Sequence, residues 1–510
     1  MLQSWKRLQV TYHGGKYSIQ RSLALEAYTR SASSSRVLLL CIATPLPMAT
    51  LVILQELIPL QDPKDGWKAN YGFWLRDAIT AFVVNLTNLG QAPFFITDLP
   101  ISKLQFAPLY YVVQIIVFRI VIGTRIFYRM LAQRFQLERY MAFITIQFTL
   151  VLLYPAYEAV FHVAEETWYH FLVILLLPVI KVVVKNMVLR CTMHLEDMMP
   201  EAAIFTVDYF NAIYVATCVQ SSSSASAIMA ITITDLTQAL LMLYGLHRHT
   251  ARTLPKLGRI VKEIPLNDSV LLSLSTLCRD LVNRDKQLDV GIRVRSCIPH
   301  QLSPIDEELI DKLDFLTNTT RVHVVQKAAI EGHREDLSWD SNSTSITGSS
   351  WCSRRRSDVI YPSIQLNTTP AEKLNILREA LGVLFTTECL VVAAYLEAVV
   401  PLFYSGYMLV MVHFPSAQYH SEMVGVTREN VGATVFPLFV FAVLQIVAFV
   451  LLGLLIKRNC GIRALWQLAF VLESQMFLIQ GKLMVWIMIT LCCRLAHFGK
   501  YFFPNGSLRC

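Results

Sequence analysis

Two aspartates, Asp208 and Asp235, stand alone in apolar runs that only a short break separates. The runs are Ala202 to Val219 and Ala225 to Leu246, and between them lie Gln220 and the serine tract Ser221 to Ser224. Each is long enough, or nearly so, to cross a hydrocarbon core as a helix, which takes roughly 20 residues. A break that short makes the two helices antiparallel neighbours. Counted outward from the turn, the aspartates lie almost equally far along their helices, about 20 Å at 1.5 Å per residue. If they face each other, like charge and burial disfavour double ionisation, and the pair takes up a proton or a small cation. The competing reading is a structural ion pair. Arg119, Lys181 and Asp208 all lie about 10 Å from the cytosolic ends of their helices, so either cation is a charge partner for Asp208.

A charge near the bilayer centre costs about 2.5–3.5 kcal/mol on the insertion scale. Ile228, Ile231, Ile233, Leu236, Leu240, Leu241 and Leu243 together return about 3 kcal/mol. Asp235 therefore cancels most of the insertion energy of its own helix and needs a partner or water in the folded bundle. By the same counting Glu388 and Glu473 join Asp235 near mid-depth, completing the candidate ion or proton site. Glu56, Glu158 and Glu397 fall near outer ends and read as interfacial, and Lys185 and Arg125 mark the other interface. Pro45, Pro47, Pro155, Pro178 and Pro437 lie inside spans, and broken helices beside intramembrane acids are a pattern of transporter sites. No inverted repeat is visible.

The elements that carry these residues follow from composition. Hydrophobic residues make up 54% of the chain and charged residues 16%, and the mean hydropathy is +0.46. The apolar residues come in blocks rather than at period 3.6 or 2, which excludes a soluble core and a β-barrel. The fold class is all-α: a polytopic transmembrane helical bundle of about nine spans. The runs are Val37 to Leu60, Phe106 to Phe127, Tyr140 to Val160, Phe171 to Val188, the central pair, Leu381 to Tyr404, Val431 to Ile456 and Leu465 to His497. Ala78 to Ile96, apolar but interrupted by Asn85, Asn88, Gly90 and Gln91, reads as re-entrant or interfacial; a tenth span results if it crosses.

Lys and Arg decide orientation because cytosolic loops carry the excess. On that rule residues 1–36 form a cytosolic basic arm, amphipathic through Trp5, Leu8 and Tyr12 and suited to anionic lipid. Residues 37–247 are the first part of the bundle, 248–378 a cytosolic insert, 379–498 the second part and 499–510 a short tail. The insert offers helices at Asn267 to Val282 and Pro304 to Leu316, and a short strand where Leu288, Val290, Ile292 and Val294 alternate. Residues 338–363 read as disordered, with a basophilic phosphosite at Ser357 after Arg354, Arg355 and Arg356. Expected partners are the bilayer, anionic lipid at the cytosolic face and cytosolic proteins bound through 248–378, with no nucleic acid.

Phosphate-loop, nucleophile-elbow and zinc-protease signatures are absent, so neither an enzyme nor a cofactor or metal is expected. Trp5, Leu8 and Tyr12 lead into Gly15-Lys16-Tyr17-Ser18; Asn70-Tyr71-Gly72-Phe73-Trp74 follows the first span. Leu465 to Glu473 precedes Gln480-Gly481-Lys482-Leu483 and Trp486. With these stretches the chain resembles, nearly end to end, a large family of uncharacterised polytopic membrane proteins with no assigned activity. The resemblance implies membrane topology and no functional residues. The reading that results is a transporter- or channel-like protein for a small cation or proton. The alternative is a membrane receptor or scaffold with structural acids.

Overall fold

A backbone that crosses lipid must pair its own N–H and C=O groups, and uniformly apolar runs of this length do so as α-helices. The computed structural model describes residues 17–62, 69–95, 134–164, 167, 169–192, 199–222, 224–260, 270–283, 292–298, 300–317 and 370–495. Among these residues the regular elements are helices and there is no strand. In chain order they are α1 (Ile19–Ser31), α2 (Ser34–Ala43), α3 (Leu46–Glu56), α4 (Tyr71–Phe95), α5 (Arg134–Ala164), α6 (His170–Thr192) and α7 (Glu201–Ser221). There follow α8 (Ala225–Ile260), α9 (Val270–Asn283), α10 (304–317), α11 (Pro370–Met411), α12 (Val431–Cys460), α13 (Ala464–Ser474) and α14 (Met476–Cys493).

Seven helical segments, with α2 and α3 counted as one from Ser34 to Glu56, are long and apolar enough to cross a membrane; the pair α13 and α14 makes an eighth if taken together. The protein is an integral membrane protein. Its centre is occupied by two helices. The apolar window of α7 is 100% buried and that of α11 89%, against 17% for α8, so α8 presents most of its surface outward. Packed on this centre are α8 and α12 on α11, α12 on α7, and α14 against α4. Gly481 permits that last approach: a Cβ there would sit 3.2 Å from the Thr87 hydroxyl. Gly72 is tighter still, since a Cβ would fall 2.0 Å from the Pro59 carbonyl oxygen.

Several expectations change. The final run is not one straight span, because α13 and α14 meet at 84°. Polar Ser474 and Gln475 interrupt the apolar sequence there, and Gln475 leaves helical geometry at φ −126°, ψ 24°. The stretch read as re-entrant or interfacial is one unbroken helix as far as Phe95, without the break a re-entrant loop needs. Helices α8 and α11 run straight through the expected bundle–insert boundaries at 247 and 379. The arm is not a surface segment over its described part. Ile19, Arg21, Leu23 and Leu25 of α1 are buried.

Over the described part of the expected strand, Ile292 to Val294, no strand forms either. That part accepts bonds from a helix end instead: Ile19 N donates to the Arg293 carbonyl and Gln20 N to the Val294 carbonyl, each at 3.0 Å. The first N–H groups of a helix have no partner within it, and this extended segment supplies one. Phe106 to Phe127 with Arg119, the stretch with Ser357, Leu288, Val290 and the first sixteen residues lie outside the described residues.

Candidate functional site

Helices α7 and α11 run in the same direction, because polar groups early in one share buried cations with polar groups early in the other, and late with late. Three cations from other elements bridge them at successive levels.

At the first level the Arg21 guanidinium, fully buried, donates through Nη2 to Glu201 Oε1 at 2.6 Å and to Glu388 Oε1 at 2.8 Å. The Tyr17 hydroxyl donates to Glu388 Oε2 at 2.8 Å. Burial and the Glu388 charge push that hydroxyl well above the usual tyrosine range, which keeps it a donor. A buried lysine lies close by. Helix α7 opens into a wide π-turn over Ile204–Asp208; such turns leave carbonyls short of partners and recur at functional sites. Lys482 Nζ donates to the Ala202 carbonyl just before the turn at 3.2 Å, and sits 5.5 Å from the Phe143 ring centre.

The second level lies two turns along α7, about 10 Å at 1.5 Å per residue. Lys185 Nζ donates to Asp208 Oδ2 at 2.7 Å. Lys181 Nζ stands 3.5 Å from Asp208 Oδ1 and donates to Glu397 Oε1 of α11 at 2.6 Å. Asp235 enters from α8, accepts a hydrogen bond from Gln445 Nε2 of α12, and lies within electrostatic reach of Glu397 and Lys181. All five charged groups are buried. Among the described residues, three carboxylates therefore face two ammonium groups.

At the third level Arg494 lies over the Tyr214 ring of α7 at 5.3 Å and donates to the Tyr404 hydroxyl of α11 and to Glu158, both at 3.2 Å. The loop after α11 adds His420, whose Nε2 is 3.3 Å from Glu56 and Nδ1 3.4 Å from Glu422. Glu56 also accepts from Arg76 Nη1 and from Ser416 Oγ, each at 2.8 Å. Burial opposes a charge on His420, but hydrogen bonds and charges of Glu422 and Glu56 outweigh it and push the ring up to about 9. Burial likewise opposes the Glu422 charge, and His420 and Arg494 overcome it to hold that carboxyl below its usual range.

The structure thus distributes the sequence-derived candidates. Asp208 and Asp235 reach one cluster without a direct bond between them in the described contacts; Asp208 is held by lysines, and Lys181, expected beside it, also holds Glu397. Glu388 belongs to the first level. Glu473 stands apart, pairing with Arg36 and accepting from the Tyr28 hydroxyl at 2.9 Å. Lys185 and Glu397, read as interfacial, are buried in the second level, because counting depth along a run says nothing of what a helix faces. Sequence reasoning missed Arg21, Glu201, Lys482 and Gln445. Lys482 and Gln445 had a signal, as lone polar residues in apolar runs. Arg21 had none, since it sits among other polar residues. Among the described residues no three His, Cys, Asp or Glu side chains are placed to hold a metal ion. Family models, curated proteins and solved structures were all compared with the chain, and none of them matches it.

Proposed function

We propose that the protein moves protons, or another small monovalent cation, across the membrane, with Asp235 as the exchanging carboxylate. One observation carries this reading: among the described residues the buried second level holds three acids and two fixed cations, one positive charge short of balance when all are ionised. A surplus charge in low dielectric is expensive, and a bound proton or cation removes the expense. Asp208 and Glu397 are each tied to a lysine, whereas the hydrogen-bond partner of Asp235 is the neutral amide of Gln445. Asp235 is therefore the acid from which a proton leaves at least cost. Glu388 serves the first level as a fixed partner of Arg21, and Glu473 stays outside the route.

On this reading the chain is no enzyme, the N-terminus and residues 248–378 face the cytosol, and nine spans result once Phe106 to Phe127 is included. Membership of the family it resembles belongs to the same proposal. The test is full-length protein in liposomes holding a pH-sensitive dye. An imposed pH gradient should collapse faster than in empty vesicles, and Asp235→Asn should slow the collapse at least tenfold while Glu473→Gln leaves it unchanged. A full rate in a folded Asp235→Asn protein would refute the proposal. It would favour the second reading, a receptor or scaffold. That reading draws on the docking of α1 onto residues 292–298, which ties the insert to the helix carrying Arg21.

A further inference from the structure

A cavity of about 260 Å³ opens between α3 and the last third of α11, away from the second level. Its wall includes Val52, Ile53, Phe403, Gly406, Val410 and Met411, together with Glu56 and Tyr407. Those two are the polar side chains of the wall, and both are engaged elsewhere. Glu56 accepts from Arg76 and Ser416, and the Tyr407 hydroxyl donates to Glu422 at 3.3 Å. The cavity therefore offers a water almost nothing to bond. An apolar cavity of even about 150 Å³ stays dry and takes up apolar molecules, and this one is larger.

What stands at its mouth follows from the helices that frame it. Ile53, Leu54, Leu402, Leu409 and Val410 project outward from the same two membrane-crossing segments and are more than two-fifths exposed. In a bilayer those side chains meet hydrocarbon tails. The space beside Gly406 is open, since a Cβ placed there would meet nothing within 4 Å.

We propose that this cavity is a binding site for one acyl chain of a bilayer lipid, entering between α3 and α11. The occupant is an alkyl chain rather than a head group, because the wall has no unengaged hydrogen-bonding side chain to meet a polar end. The chain would lie against the helix ends that carry Glu56 and Tyr407, beside the His420 cluster.

The test uses full-length protein in phosphatidylcholine vesicles doped with a phosphatidylcholine whose acyl chain carries a diazirine. After illumination and digestion, adducts on Ile53, Phe403 or Val410 should exceed those on Val440 and Leu444, outward-facing residues of α12, at least fivefold. Gly406→Phe should cut the cavity adducts at least fivefold and leave the α12 adducts unchanged. Ala49 lines the cavity from α3, so Ala49→Phe fills the space from the opposite helix and should do the same, which covers the case in which the first variant does not fold. Cavity labelling no higher than on α12, or equal labelling in a folded filling variant, would overturn the site. So would labelling by a free diazirine fatty acid but not by the lipid. None of these readouts involves proton flux, so the site and the transport reading stand or fall separately.

Discussion

The first and second levels of the buried ladder use the same parts and differ in how their acids are held. In the first, one guanidinium donates to both acids, Arg21 to Glu201 and Glu388, and Lys482 bonds nearby to the Ala202 carbonyl. In the second, Lys181 and Lys185 bond to Asp208 and Glu397, while Asp235 bonds to the neutral amide of Gln445. An acid bonded to a cation has little to gain from an added proton. The first level works as a fastener, holding α1 to α7 and α11. An acid whose described bond is to a neutral amide has a charge to shed or neutralise, and so has a reason to exchange ions. Burial is the same in both; a direct contact with a cation separates a clasp from a station.

The largest effect is expected in the clasp. Arg21→Met strands two acids at once and should destabilise the protein by at least roughly 5 kcal/mol, the upper range for a broken buried pair. Detergent thermal-unfolding scans on purified protein would read this, and near-normal stability would mean that Arg21 does not hold the two acids. Next comes Lys185→Met, expected at roughly 3 kcal/mol, because Lys181 still faces Asp208. Adding Asp208→Leu should bring stability back to within about 1 kcal/mol of the starting protein, since both charges then leave together. Failure of that rescue in a double-mutant cycle would break the pairing.

Asp235→Asn should sharpen the contrast. It removes the surplus charge and should leave stability unchanged or raised by about 1 kcal/mol, in the same scans, while abolishing flux. The smallest effect concerns the third level and pH. Protonated His420 stabilises the fold fully below its ordinary value of 6.5, and that support is lost as pH rises through about 9. Glu422 acts on the other flank: its support is present above 4.5 and lost as pH falls below it. The melting temperature should therefore hold between about pH 4.5 and 6.5 and fall by about 3 °C toward pH 9. His420→Gln should flatten the alkaline limb; an unchanged limb would assign it to another group.

Block hydropathy alone determined that this is a helical membrane protein, and placed the runs that became α5, α6, α8, α11 and α12. It works because lipid leaves a backbone no alternative to helices, so span-length apolar runs report structure directly. The same rule singled out Asp208, Asp235 and Glu388 as acids in need of partners. Which partners they have was decided only in three dimensions. Arg21 lies 180 residues from Glu201 and 367 from Glu388, and nothing in a basic N-terminal stretch distinguishes it from a solvated charge. Depth counting put Glu397 and Lys185 at an interface, whereas rotation of α11 and α6 about their axes turned both inward. The 84° bend at Gln475, the π-turn before Asp208 and the cavity beside Gly406 likewise depend on how helices pack against one another. Local sequence fixes the length and polarity of a helix, and only its neighbours decide which face is buried and which charge meets which.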